Sequence, residues 1–301
     1  MKVRRVYVAA ALAGALAAAG CANNEESGTA AGGGQSSGAA TFNLDSVKKD
    51  DALAGQVPDA VKADGKMTIG TNLPYAPNEF KDASGKIVGF DIDLASAVAK
   101  KLGLTPEFKE SSFDNLLSPA TGTKYEFSIS SFTDKKEREQ KFDFVTYFSA
   151  GTAWASKDKS FNPDDPCGHK VAVQSTTAQD TDDLPARQKK CGGTAIQIQR
   201  YDSQDEATSA VVTGKAEAML ADSPIVDYAI KQTGGQLSRV GQTYDSAPYG
   251  ILLPKNGGTL KDAVLGAVKA LMADGTYKAI LDKWGLAAGA ITNPVINGAV
   301  A

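Results

Sequence analysis

Three short stretches carry side chains suited to holding a small charged molecule. In FSISSFTDKKEREQKFDF, residues 127–144, the hydroxyls of Ser130, Ser131 and Thr133 lead to Arg138. In VAVQSTTAQ, residues 171–179, an apolar run gives way directly to Ser175, Thr176 and Thr177. In AEAMLADSPIVDY, residues 216–228, Asp222 closes an apolar run just before Ser223 and Pro224. A guanidinium fork matches a carboxylate in bidentate geometry and stays charged at any working pH. Free N–H groups where a strand turns into a helix are a second kind of anion donor. A carboxylate such as Asp222 answers an ammonium, so the set suits a zwitterionic amino acid. Asn72 and Tyr75 in TNLPYAP, residues 71–77, add an amide and an aromatic face. No nucleophile and base stand together, because the single histidine, His169, lies outside these stretches.

Each of these residues also has a plainer reading. Between Asp134 and Lys141 every residue but Gln140 is charged. Asp134 with Arg138, Lys135 with Glu139 and Glu137 with Lys141 stand four apart, the spacing of a solvated helix face whose pairs each contribute about 0.3–0.5 kcal/mol. Residues 175–177 suit a helix cap, and Asp222 suits the start of a helix opened by Pro224. Tyr75, between Pro74 and Pro77, suits simple loop packing.

The elements that would position these residues follow from pattern. Strand-like runs at Met67–Gly70, Ile87–Phe90, Phe127–Ser130, Val171–Val173, Ala195–Ile198 and Ala218–Leu220 alternate with helical stretches. That alternation predicts α/β architecture with largely parallel sheets. Ile92, Ala95, Val98, Ala99 and Leu102 recur at helical spacing and stop at Gly103, a C-terminal cap. Amphipathic patterns also cover residues 205–213 and 260–272. Open α/β sheets bind ligands beyond the C-terminal ends of their strands, and the candidate residues stand there.

The first 20 residues have another purpose. Lys2, Arg4 and Arg5 precede Val6–Gly20, 15 uncharged, Ala-rich residues, too short to span a bilayer as a helix. Ala18-Ala19-Gly20-Cys21 resembles a bacterial lipoprotein signal, with Cys21 the lipidated first residue and Ala18 where the pattern prefers leucine. A plain secretory signal is the alternative, and Arg4-Arg5 also leaves open a twin-arginine route. Residues 21–42, rich in Gly, Ser and Ala, behave as a tether. Without residues 1–20, which hold three basic and no acidic side chains, the net charge of −3 becomes −6, which argues against a nucleic-acid partner. Cys21 aside, two cysteines remain, Cys167 and Cys191, and an even remainder in an exported chain predicts a disulfide. Cys167, His169 and Cys191 as metal ligands is the alternative, disfavoured by the lone histidine and the absence of a CxxC spacing; no metal or cofactor is expected. No later apolar run approaches a membrane span, so attachment would rest on the lipid alone.

From about Lys66 to Gly285 the chain resembles the polar amino-acid class of bacterial extracellular solute-binding proteins that serve ABC importers. The resemblance is carried, in order, by LPYAPNEF (73–80), GFDIDLASAVAKKLG (89–103), the stretch from Ser111 to Phe148, VAVQSTTAQ, AEAMLADSPIVDY and ADGTYKAILDKWG (273–285). It implies a two-lobe, type II-like periplasmic-binding-protein fold, with residues 43–150 and 249–286 as one lobe, 151–248 as the other and 287–301 as a tail. Phe148–Trp154 and Ser246–Gly250 would be the crossover hinge strands. It further implies ligand roles for Tyr75, Ser130, Ser131, Thr133, Arg138, Thr177 and Asp222. Many members have glycine where Thr176 stands, tryptophan at Phe113 and glycine at Asn115. Asn72, Glu79, Phe113, Asn115 and Trp154 are the candidate selectors of the ligand side chain. The implied protein is no enzyme but a monomeric lipoprotein on the outer face of the cytoplasmic membrane. It would close on a polar or charged L-amino acid, glutamine or glutamate favoured, and be recognised by a permease with its ATPase. Rival implications are a sensor that signals by the same closure and a dehydratase-like enzyme on the same fold.

Overall fold

Ten strands form in the computed structural model, which describes residues 42–300. The signal, Cys21 and nearly all of the tether lie outside the described residues. The strands are β1 (Lys66–Thr71), β2 (Phe80–Lys81), β3 (Ile87–Val88), β4 (Thr105–Glu110), β5 (Phe127–Ser128), β6 (Phe142–Ser156), β7 (Lys170–Gln174), β8 (Gln197–Tyr201), β9 (Ala218–Asp222) and β10 (Ser238–Pro254). Eight form one sheet in the order β4-β1-β5-β10-β6-β9-β7-β8, while β2 and β3 pair apart from it.

The two longest strands organise this sheet. At about 3.3 Å per residue, the 15 residues of β6 and 17 of β10 reach roughly 50 Å, far beyond an ordinary strand. The first half of β6 pairs with the end of β10, which also joins β5, β1 and β4. The last residues of β6, Thr152–Ser156, pair with both the start of β10 and β9, which leads on to β7 and β8. Register shifts interrupt the β6–β10 ladder on both sides of Ala247, and Asp245 there has a left-handed φ of 49°. The fold is therefore two-lobed, its parallel strand groups joined by one antiparallel ribbon.

Each lobe packs helices on its strands. Helices Phe90–Lys101, Leu260–Ala273 and Thr276–Trp284 bury Leu94, Val98, Val264, Val268 and Ile280 against Ile69, Tyr147 and Ile251. Helix Phe90–Lys101 ends as the pattern predicts: Gly103, at φ 77°, lets Leu104 N–H reach Ala99 O and its own N–H reach Lys100 O, a Schellman motif. In the other lobe, helices Gln204–Val212 and Ser223–Gln232 cover Ala172 and Met219. Ser203 and Glu206 close the first of these with a capping box, a local signature legible in the sequence.

Some expectations change. The run Ile87–Phe90 pairs only at Ile87 and Val88, and Phe90 already starts a helix. Gly89 forces the break: at φ 142° it presses on the Asn78 carbonyl, where a Cβ would lie 2.0 Å from the oxygen. The final segment lies along β6, with Ile296 bridged to Val145. No helix among the described residues is long and apolar enough to cross a membrane.

Cys167 and Cys191 form the expected disulfide, closing a loop with a sequence separation of 24 around β7 and the helix Leu184–Gln188. Loop-closure entropy for that length predicts a loss of about 3 kcal/mol when both are changed to serine. Chemical denaturation of the double variant measures it; an unchanged midpoint would show that the cross-link restrains nothing the fold does not already hold.

Candidate ligand-binding site

The strand ends that carry the candidate residues converge on one small cavity between the lobes. Asn72, Tyr75, Phe113, Ser130, Ser131, Thr133 and Arg138 line it from one lobe; Gln174, Thr177, Ala178, Gln179 and Asp222 line it from the other. The space they leave is about 10 Å³, room for at most one water molecule. The lobes are closed, and the polar groups of the two sides hold one another.

Asp222 is the last residue of β9 and stands at the start of the helix Ser223–Gln232, to which its side chain makes no capping bond; its hydrogen bonds go into the cleft. Its Oδ2 accepts from the Tyr75 hydroxyl across the cleft at 2.7 Å, and its Oδ1 accepts from Gln179 Nε2 at 2.9 Å. Burial pushes its pKa up, while the hydrogen bonds from Tyr75 and Gln179 and the charge of Arg138 pull it back. Tyr75 is itself 5% exposed and packs into the apolar cluster of the opposite lobe. It is not merely a loop-packing residue.

Arg138 sits on a four-residue helix, Lys136–Glu139. Its Nη1 donates to Thr133 O at 3.0 Å and its Nη2 crosses to Thr176 O at 3.1 Å. Its guanidinium lies over the Phe113 ring, 5.8 Å from the centroid, and Phe113 stacks on Phe132. Burial lowers its pKa to about 10, with Asp182 and Asp222 acting in the opposite sense. The expected ladder of pairs four apart does not form around it, since the helix is a single turn. Lys135 instead pairs across the cleft with Asp182, and Lys136 pairs with Glu139.

The β7 end differs from expectation in one respect. Thr176 has a φ of 64°, a region that favours glycine, which gives a physical sense to the glycine common at this place in the resembling family. Its N–H is engaged by Asp180 Oδ2 at 3.0 Å, and Asp180 is paired with Arg200. It is therefore not a free anion donor. Thr177 is 7% exposed, and its hydroxyl donates to Gln174 O at 2.8 Å.

Beneath the hydroxyls lies a buried acidic pair. Ser130 Oγ donates to Glu79 Oε1 at 2.7 Å while accepting from Asn72 N–H at 3.1 Å. Ser131, in a left-handed conformation with φ 52°, gives its N–H to Asp91 Oδ2 at 2.8 Å and accepts from Asn78 Nδ2. Tyr147 OH also reaches Asp91. Burial, then the neighbouring Asp91, raises Glu79 well above the usual glutamate range, and burial raises Asp91 to about 6. Burial and the nearby Asp91 carboxylate both favour the protonated form of Glu79.

Of the candidate selectors, Asn72 and Phe113 line the cavity, and Glu79 stands behind Ser130. Asn115 is exposed on the helix Phe113–Leu116 and lies outside the lining. Trp154 is fully buried in the second lobe, stacked on Phe161 with its Nε1 donating to Tyr244 OH at 2.7 Å. Its position on β6 turns its ring away from the cleft. Gln174 and Gln179 were missed: Gln174 Nε2 donates across the cleft to Asn72 Oδ1 at 2.9 Å. Counting the last residue of the strand, not only those after it, would have found Gln174. His169 pairs with Glu217, away from the cavity.

Residues 67–287 match the bacterial extracellular solute-binding proteins, family 3. The chain is 35% identical over 251 residues to the arginine-binding protein ArgT of Corynebacterium glutamicum, covering 81% of this chain and 82% of that protein. It is 27% identical to the L-cystine-binding protein TcyJ of Escherichia coli, over 74% of this chain and 84% of the other. Among solved structures, an ancestral arginine-binding protein bound to arginine superposes with a TM-score of 0.69 at 33% identity, covering 73% of this chain and 98% of that one. An ancestral amino acid-binding protein described as a precursor of cyclohexadienyl dehydratase superposes with a TM-score of 0.67 at 32% identity, covering 75% and 98%. This chain belongs to the bacterial extracellular solute-binding proteins, family 3.

The acidic pair generates a prediction. Because the folded pKa of Glu79 lies above its ordinary value near 4.5, the folded state keeps a proton that the unfolded chain releases. The stability this contributes is complete below that ordinary value and is lost as pH rises. In Glu79→Gln the amide replaces the protonated carboxyl and does not titrate. Thermal unfolding between about pH 5 and pH 8 should therefore favour the variant increasingly as pH rises; parallel curves would mean that Glu79 is ionised in the folded protein.

Proposed function

We propose that this family member is the substrate-binding lipoprotein of an ABC importer and that it closes on a polar or charged L-amino acid. The observation that carries the reading is that a guanidinium from one lobe and a carboxylate from the other line the same cleft, each bonded to neutral partners. Arg138 and the Thr177 region would hold the ligand carboxylate, while Asp222, with Ser130 or Ser131, would hold its ammonium and Tyr75 would pack on it. Residues 43–150 with 249–286, and 151–248, would move as lobes about the β6–β10 ribbon.

In this mechanism the open lobes admit the amino acid, and closure replaces contacts between the lobes with contacts to the ligand. Tyr75 to Asp222 and Arg138 to Thr176 O are bonds to neutral partners. A ligand carboxylate or ammonium brings a full opposite charge to each in place of a dipole, which adds a Coulomb attraction that the neutral partners lack. The ligand therefore favours the closed state by its differential affinity for it. For about ten non-hydrogen atoms at near −1 kcal/mol each, micromolar to nanomolar affinity is attainable. The closed form would dock on a permease coupled to an ATPase, and Cys21 would carry the lipid that holds the monomer on the outer face of the cytoplasmic membrane.

For the side chain, glutamine or glutamate is favoured. The amides of Asn72 and Gln174 face the cavity, and burial beside Asp91 favours the neutral form of Glu79, which would be a poor partner for a cation. Arginine is the second reading, favoured by the relatives named as arginine-binding. Binding rather than catalysis is the proposed role, since the groups of the cleft are arranged as ligand-holding pairs.

A thermal-shift screen of the twenty amino acids should show stabilisation by glutamine or glutamate above large apolar ones. A flat response to all of them would sink the amino-acid reading. Calorimetry with the best ligand should then show Arg138→Ala and Asp222→Ala each weakening binding by about 1.5–3 kcal/mol. Either variant binding within about tenfold of the unchanged protein would show that the charge pair is not the anchor.

A further inference from the structure

The turn that carries Arg138 is too short to hold itself, because four helical residues form less than the cooperative minimum for a stable helix. Its fixation comes from a segment remote in sequence. Beyond the 3₁₀ turn Ala287–Gly289, the chain runs along the edge of β6 that β10 does not cover. Thr146 N–H donates to Val295 O at 2.9 Å, and Val295 N–H returns a bond to Thr146 Oγ1 at 2.9 Å. Asn297 N–H donates to Phe144 O at 2.8 Å, and its Oδ1 accepts Phe144 N–H at 2.9 Å. Its Nδ2 reaches Asp143, which Lys255 and Lys261 also hold.

Asn297 then turns the chain through a left-handed φ of 57°, aiming the next two N–H groups at the Arg138 turn. Gly298 N–H donates to Asp134 Oδ2 at 2.7 Å, and Ala299 N–H donates to Glu139 Oε1 at 3.1 Å. Asp134 lies just before the turn and Glu139 is its last residue, so Arg138 is bracketed. Gly298 makes the approach feasible: a Cβ there would lie 2.8 Å from Val295 Cγ2 and 2.9 Å from Thr146 Cγ2. None of these residues lines the cavity.

We propose that residues 295–299 form a strap that positions Arg138 for the ligand carboxylate, by clamping both ends of its turn to β6. The ligand role of Arg138 in this proposal rests on the reading above; the clamp itself does not. The strap makes no contact with ligand and acts only through the aim of the guanidinium.

Two variants test it in the full mature chain: deletion of residues 291–301, and Gly298→Val, which keeps the segment but spoils its close approach. Amide hydrogen exchange of residues 134–141 should quicken by about tenfold or more in both, with β7 and β9 unchanged. The affinity for the amino acid selected by the screen should fall about tenfold, and by less than about twofold when the variants are made in Arg138→Ala. NMR titration keeps the weaker complexes measurable. Equal losses in both backgrounds would show a general structural role and overturn the proposal, as would wild-type affinity without the strap. Should the unchanged protein bind no amino acid, the functional reading fails by itself. Exchange at residues 134–141 then still decides whether the clamp exists, and an unaltered rate there overturns it.

Discussion

Two opposite charges taken out of water at the same place set the terms for this molecule. Burial alone would push Asp222 towards its neutral form, and it does lower the pKa of Arg138 to about 10. Desolvating such groups costs several kcal/mol each unless partners compensate. Here compensation comes from across the cleft, through the Tyr75 hydroxyl for Asp222 and the Thr176 carbonyl for Arg138. Neither partner is charged. A zwitterion offers each group a full counter-charge, so the closed cleft is chemically better matched to an amino acid than to itself.

Bringing these groups together requires an unusual sheet. Asp222 and Arg138 belong to different lobes, and among the described residues only β6 and β10 are strands that run continuously through both. The register shifts around Ala247 and the left-handed Asp245 lie where the strands pass between lobes. A ribbon with three register shifts between Val240 and Gly250 bends and twists there more than in its regular run from Gly250 to Pro254. Each lobe meanwhile keeps its own apolar clusters, so closure leaves the cores intact.

Much of the site was legible in the sequence because strand ends are local signals. An apolar run followed at once by Ser-Ser, Ser-Thr-Thr or Asp-Ser-Pro marks a place where a sheet presents polar groups: Ser130, Ser131, Thr177 and Asp222 line the cavity, as do Tyr75, Thr133 and Arg138, whereas Ser175 and Thr176 of the same pattern do not. What failed depends on long-range geometry. Spacing of four among residues 134–141 suggests mutual pairs, yet the turn is too short to use it and Lys135 finds Asp182 across the cleft. Trp154 stands on a crossover strand whose alternate residues face the cleft or the core, and only the register with Leu220 and Val240 assigns it inward. The segment VINGA, residues 295–299, reads as a featureless tail, because its partners Phe144 and Asp134 lie far away in the chain. Asp91 looks like an ordinary acid at a helix start, and the sequence marks Glu79 only as a candidate selector, until Gly89 folds the loop at Asn78 onto the helix that carries Asp91.

In the proposed mechanism one ligand satisfies both buried charges, one from each lobe. A crystal structure of the complex with the amino acid that stabilises the protein most tests it directly. Closed lobes are expected, with the ligand carboxylate within hydrogen-bond distance of the Arg138 guanidinium and its ammonium on the Asp222 carboxylate. An amino acid held by one lobe alone, with Arg138 still bonded to the Thr133 and Thr176 carbonyls, would contradict it.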